Sequence, residues 1–352
     1  MMKRTVFIVL VFLVVFVTNS RAQYYSSALG LNGTALRSAL HNIIDNHNAQ
    51  TWPLWSHFYS TDVKTGSIVW DIYSDIPSGT PPYTFTLGTN QCGNYTGEGQ
   101  CYNHEHSWPS TYFNDDLPMK SDLHHVFPTD GFVNNKRSNF PFGEVSGSIS
   151  YSCDNGGKLG SSNTYIGYNL DVFEPIDAYK GDIARAYFYM STRYYNEDAG
   201  WGNWIMANGA NLSQDAVDLL LQWHQQDPVS LKEQNRNNEI FAIQGNRNPF
   251  VDYPIFADCI WGSANCTSLS APTSEEGSMQ IQVYPNPAID KLILPVADRI
   301  ISATCYDYLG RTYRLTETKG NEMVISSLNS GMYLLNVKWE NGETTLHRFT
   351  KR

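Results

Sequence analysis

The chain has 352 residues, enough for two or three domains, with 41% hydrophobic, 13% aromatic and 16% charged residues; this excludes a disordered chain and a coiled coil. The formal net charge is −10; nine acids and nine bases beyond residue 274 and three bases in 1–22 leave 25 of the 34 acids and 12 of the 24 bases to 23–274. So acidic a segment excludes broad electrostatic capture of nucleic acid, and any phosphate chemistry there needs a metal and a local group of cations.

In chain order, Lys3-Arg4, the apolar run Thr5 to Val17 and Ser20-Arg21-Ala22 read as a signal peptide over 1–22. The run is short for a membrane span, and nothing later is apolar for long enough, so the mature chain is expected to have no transmembrane segment. Ser38 to Ile44 suggests a helix, and residues 66–170 are loop-rich with short strands. Ile183, Tyr187, Met190 and Tyr194 fall on one face of a helix expected from Asp177 to Tyr195. Val217, Leu220, Leu221 and His224 mark another. A Ser/Thr/Pro/Glu-rich linker is expected at 267–278, separating a first domain at 23–266 from a second at 279–352. The second reads as short strands, with Tyr333, Leu335, Val337 and Trp339 alternating onto one face and Asn341-Gly342 as a hairpin turn.

Export permits disulfides. Cys92 with Cys101 and Cys259 with Cys266 each close a short loop and are plausible local bridges, whereas Cys153 and Cys305 lie in different domains and are expected as buried thiols. No Cys-x-x-Cys pair suggests a structural zinc site.

Four of the nine histidines lie between His104 and His125, among Glu, Asp and Asn residues. Such a cluster in an exported chain suggests metal-assisted chemistry. Zinc on His104, His106, His124 and His125 is one reading, although His-x-His and His-His lack the spacing of a helical zinc pair. A hard cation on Glu105 and an amide oxygen, with His106 free as a base, is the other; residue types alone leave both open.

Asn103, Glu105, His106, Trp108, Pro109 and Ser110, taken with the run Asp122 to Gly143 (DLHHVFPTDGFVNNKRSNFPFG), resemble the bacterial endonuclease I family. The similarity continues through 173–194 and 223–252. The resemblance implies an α+β fold: a His-Me finger (ββα-metal) nuclease domain with several helices, here followed by a small all-β sandwich. Carried over position by position, it makes His106 the general base and Glu105 and Asn134 the metal ligands. His106 would end one strand, Val126 and Phe127 would lie in the next, and Thr129 to Ser138 would form the helix carrying Asn134.

The implied activity is a secreted, sequence-nonspecific cleavage of DNA, with RNA as a further substrate, that leaves 5′-phosphates. A neutral imidazole suits activation of water, and two oxygen ligands suit Mg²⁺, with Mn²⁺ or Ca²⁺ as substitutes. Arg137 is the candidate phosphate contact. His124 or His125 would orient the base or the metal shell, and Asp122 would hold an imidazole in one tautomer. Asp182, Arg185 and Arg193 are expected to serve packing and ion pairs. Asn246-Arg247-Asn248-Pro249 is expected as a polar turn after the last helix of this domain. The aromatic residues are assigned to the core and none to nucleic acid.

Tyr284-Pro285-Asn286-Pro287 and the Gly331 to Val337 strand, with the basic end Lys351-Arg352, are similar to the type A sorting domain of the type IX secretion system. That resemblance implies the secretion machinery as a partner, export through the periplasm, and a secreted or surface-attached product. Two other classes stay open here: a surface-attached binding protein on a degenerate nuclease scaffold, and a zinc hydrolase using the histidines.

Overall fold

The computed structural model describes residues 23–77, 79–267, 283–294, 300–307, 312–318, 322–339 and 344–352. The expected signal peptide, the linker from residue 268 onward and the Asn341-Gly342 turn lie outside the described residues. The chain divides into two compact units, 1–272 and 273–352.

In the first unit the elements are α1 (Gly33–Ile44), α2 (Phe58–Thr61), β1 (Val63–Lys64), β2 (Ile68–Val69), β3 (Tyr102–His106), β4 (Val126–Asp130) and α3 (Gly131–Arg137). Then come β5 (Ile149–Ser152), β6 (Lys158–Ser162) and β7 (Leu170–Glu174), an antiparallel three-stranded sheet. The unit ends with α4 (Lys180–Arg193), the short pair β8 (Ala207–Asn208) and β9 (Asn211–Leu212), α5 (Gln214–Gln226), α6 (Leu231–Gln244), α7 (Pro249–Asp252) and α8 (Ile255–Trp261).

The core is built around α4, which is buried along its whole length rather than on one stripe. Helices α1, α5 and α7 pack against it. Its charged residues are therefore inside, and buried charge is tolerable only when paired. Lys232 Nζ reaches Asp182 Oδ1 at 2.7 Å, Arg185 Nη2 reaches Glu233 Oε2 at 2.9 Å, and Arg193 Nη1 reaches Asp45 and Glu197 at 2.9 and 2.8 Å. Helix α6 was not visible as an apolar stripe, because Lys232, Glu233, Arg236, Asn237 and Gln244 are among its buried residues. Its start is a capping box, Ser230 with Glu233, and its end is Gly245 at φ +82°. Asn246 to Pro249 does not close the helical part: Asn248 caps α7 through Phe250 N, Pro249 takes the first helical position, and α8 follows.

The second unit contains β10 (Lys291–Ile293), β11 (Ile300–Asp307), β12 (Thr312–Arg314), β13 (Thr316–Thr318), β14 (Glu322–Val324), β15 (Gly331–Trp339) and β16 (Thr344–Lys351). They form two antiparallel sheets, in the orders β10-β14-β13 and β12-β11-β15-β16. On β15, Tyr333, Leu335 and Val337 point into a core with Val283, Leu292 and Cys305, while Leu334 is exposed.

Candidate active site

Strand β3 pairs antiparallel with β4, from Tyr102 opposite Asp130 to His106 opposite Val126. Alternation sends Val126 into one apolar cluster, with Leu123 and Ile240, and Phe127 into another, with Val133 and Phe173, which fixes the hairpin between two cores. The second strand runs to Asp130, so the helix begins two residues later than expected from Thr129. Asp130 is held extended because its N–H donates to Asp71 Oδ2 at 2.9 Å, and its own Oδ1 caps α3 by accepting from Phe132 and Val133 N–H. Helix α3 packs on both strands. The Cys92–Cys101 disulfide braces this corner: Cys101 O accepts from Gly131 N–H at 2.9 Å, and a Cβ on Gly131 would lie 2.7 Å from Cys92 Sγ. The second disulfide joins Cys259 to Cys266. Cys153, in the first unit, and Cys305, in the second, are buried.

Strand β3 and helix α3 enclose a polar cleft of about 300 Å³ lined by Asn103, Glu105, His106, Asn134, Arg137 and Ser138, among others. His106 Nε2 lies 2.9 Å from the Lys120 carbonyl oxygen, which only accepts, so Nε2 carries the proton and Nδ1 the lone pair. Trp52 stacks on the imidazole at 5.4 Å, and His125 lies 5.5 Å away. Burial pushes the His106 imidazole down to about 3, and neighbouring His125 acts in the same direction, so the ring is neutral near neutral pH.

Glu105 is 1% exposed; its Oε1 accepts from the Tyr73 hydroxyl at 2.8 Å and lies 3.0 Å from Arg137 Nη1. Burial pushes its carboxyl up, opposed by Arg137 and Tyr73. Asn134 donates from Nδ2 to Asn103 Oδ1 at 2.8 Å and to the His104 carbonyl at 3.0 Å. Both amide hydrogens are thereby engaged, which orients the group and leaves Oδ1 as its acceptor.

Arg137, the expected phosphate contact, lines the cleft with its guanidinium already engaged by protein groups. Its side chain is 1% exposed, and the guanidinium binds Glu105, the His106 carbonyl at 2.9 Å and the Ser107 carbonyl, with its face 4.5 Å from the Phe142 ring. It ties Glu105 to the end of β3 within the cleft wall. Asp122, His124 and His125 lie inside. Asp122 accepts from Tyr189 and Tyr194 at 2.8 Å each, from Gln244 at 3.0 Å and from the His124 N–H at 3.1 Å. The imidazoles of His124 and His125 instead donate to the Asn246 and Met119 carbonyls, so Asp122 does not set either tautomer. Burial pushes the Asp122 carboxyl up, but His47, His124, His125 and Gln244 together hold it below the usual range.

His104 accepts from Leu54 N–H at 3.1 Å within a nest of Trp52, Trp55 and Phe58. The histidines thus do not converge on a shared zinc position. Among the described residues, the His/Cys/Asp/Glu group close enough to share an ion is His41, Asp45 and Glu197, none of which lines the cleft, and Arg193 already bridges its two carboxylates. Sequence reasoning missed Tyr73, Trp52 and the Lys120 carbonyl; nothing local announces them, since each acts across 14 to 54 residues of chain.

The sequence model of endonuclease I matches residues 32–255, and that of the secretion system C-terminal sorting domain matches 282–351. The chain is 34% identical over 249 residues to an extracellular ribonuclease of Bacillus amyloliquefaciens, covering 68% of this chain and 78% of the relative. It is 32% identical over 252 residues to the extracellular ribonuclease of Bacillus subtilis (strain 168), with the same coverage. An extracellular deoxyribonuclease of Aeromonas hydrophila is 31% identical over 135 residues, 38% of this chain and 50% of the relative. The sorting domain and these relatives identify a secreted or cell-surface protein. Among the described residues no helix is long and apolar enough to cross a membrane.

Proposed function

The chain belongs to the endonuclease I family, and on that premise we propose that it is a secreted, metal-dependent, sequence-nonspecific endonuclease with a His-Me finger active site. The observation that carries this reading is the orientation of two groups at one cleft: His106, with its lone pair on Nδ1, and Asn134, with its oxygen left as acceptor. His106 Nδ1 takes a proton from water, the water oxygen attacks phosphorus, and the bond to the 3′ oxygen breaks, that oxygen taking a proton from solvent water to leave a 3′-hydroxyl and a 5′-phosphate. Glu105 Oε2 and Asn134 Oδ1 are the atoms left to hold one divalent cation, since Glu105 Oε1 is engaged by Tyr73 and Arg137. One anionic and one neutral oxygen fit a hard ion that keeps its waters, Mg²⁺ first with Mn²⁺ or Ca²⁺ as substitutes. When bound, that ion would neutralise charge on the scissile phosphate and the leaving oxygen. Arg137 is a positioning residue for Glu105 and for the end of β3.

DNA and RNA are both proposed substrates, in keeping with the two kinds of relative. The proposed catalytic domain spans 23–266. A linker at 267–278 joins it to a β-sandwich at 279–352 that addresses the type IX secretion machinery; its two sheets around one apolar core support that reading. Plasmid and RNA cleavage with titrated Mg²⁺, followed by end-group analysis, is the test. Full activity in excess chelator, or 3′-phosphate products, overturns the mechanism.

A further inference from the structure

We propose that a groove leading from the cleft past Phe140 to Tyr168 binds the unpaired bases of a single-stranded nucleic acid. The inference rests on the nuclease reading for the class of ligand. The cleft of about 300 Å³ shares Ser138 and Asn139 with an adjoining hollow of about 270 Å³, and that hollow shares Leu170 with a third of about 650 Å³. Shared lining residues place the three hollows side by side, beginning where the C-terminal end of α3 meets the candidate catalytic residues.

The rings along these hollows stand out against the rest of the unit. Among its described residues only Trp52, Tyr59, Phe140, Tyr168 and Phe241 are exposed aromatic rings. Phe140, 37% exposed, lines the middle hollow, and Tyr168, 58% exposed, lines the third beside Trp204. Trp52 is stacked on His106, a residue that lines the cleft. Aromatic faces give bases a stacking surface that does not depend on sequence, and Asn203 and Gln214 add amides able to meet base edges.

The charges decide which part of the strand faces inward. No Lys or Arg lines the two outer hollows, whereas Asp171 and Asp215 do. Carboxylates repel a phosphate backbone, so bases face the groove and phosphates face solvent. A duplex keeps its base faces stacked inside and has none to offer. In an acidic catalytic unit this arrangement supplies affinity that Coulomb attraction does not.

The test is fluorescence anisotropy with a labelled single-stranded DNA of about twelve nucleotides, using the mature chain in a His106→Ala background with Mg²⁺ present, so that binding is read without turnover. Tyr168→Ala and Phe140→Ala are each expected to raise Kd about fivefold or more, and Tyr168→Trp to restore it. Because no cation is removed, the loss should be the same at low and high salt. Tyr59→Ala and Phe241→Ala, at exposed rings that line none of the three hollows, should leave Kd unchanged. Unchanged Kd in both groove variants, equal losses in the two control variants, or tighter binding of the duplex than of its single strand overturns the proposal. A wild-type chain that cleaves nothing yet shows the expected binding pattern upholds the groove and sinks the nuclease reading instead.

Discussion

Glu105-His106 and Asp122-His124-His125 are both short runs of acid and imidazole, and as sequence they look alike. In space they differ by which polar atoms remain available. Around Asp122 the carboxylate collects two tyrosine hydroxyls, an amide and a backbone N–H, and the two imidazoles donate to carbonyls, all out of contact with solvent. At the cleft, His106 Nδ1 and Asn134 Oδ1 are the atoms their hydrogen bonds leave over, and both residues line the open hollow. A cluster sealed away from solvent, even with His125 Nδ1 left without a partner inside it, holds a fold together; one with unengaged atoms at a cleft can meet a substrate.

The sharpest way to break this contrast is to remove one residue from each side. His106→Ala should lower the cleavage rate about 10²–10⁴-fold with the unfolding midpoint in urea nearly unchanged. Asp122→Ala should do the reverse, lowering stability by about 3–5 kcal/mol, as when one member of a buried charged network is lost. A soluble, fully stable Asp122→Ala chain with a collapsed rate would dissolve the contrast.

Within the cleft, Glu105→Ala and Asn134→Ala should each raise the Mg²⁺ concentration for half-maximal rate about tenfold or more, and excess metal should partly restore activity. His106→Ala should not be rescued in this way. Equal rescue of all three variants would erase the distinction between base and ligands.

Two buried carboxylates extend the comparison to pH. Burial pushes the Asp71 carboxyl up to about 7, whereas Asp122 is held below its usual range. A raised folded value means the native state binds more protons than the unfolded one between about 4 and 7, so Asp71 makes stability fall as pH rises through that window. Asp122 has the opposite sign: its contribution is present above the unfolded carboxylate range and is lost on acidification. Urea midpoints across pH should show Asp71→Asn flattening the decline toward pH 7. A steeper decline would show that Asp71 is ionised in the native chain.

The smallest effect is expected from the second unit. A chain ending at Thr273 should keep kcat/KM within about twofold, because the units have separate cores, and it should lose export in a host with the type IX system. Normal export would contradict the sorting role, and a large loss of activity would make the second unit part of the enzyme.

The β3–β4–α3 order came from the resemblance to the endonuclease I family, whereas both local disulfides and the strand alternation of β15 were legible because each rests on short-range pattern. Sequence reasoning placed the start of α3 two residues early because the group that keeps Asp130 extended, Asp71, lies 59 residues away. It missed α6 because that helix buries charged and amide side chains whose partners lie elsewhere, as Arg236 with Asp62, 174 residues distant. The partners of Arg137 were not legible for the same reason: nothing beside it in the chain shows that Glu105 and two carbonyls meet its guanidinium.

The group that sets the His106 tautomer is the main-chain carbonyl of Lys120. Side-chain scanning is therefore blind to it: any L-residue at position 120 presents the same oxygen, and an alanine scan would read only the loss of the Lys120 ammonium from Asp115 and from the Trp52 ring. What moves that oxygen is the length of the connection between Ser107 and Ser121. Insertions and deletions there, rather than substitutions, are the changes that reach the proposed base, and a variant library built only from point replacements would sample none of them.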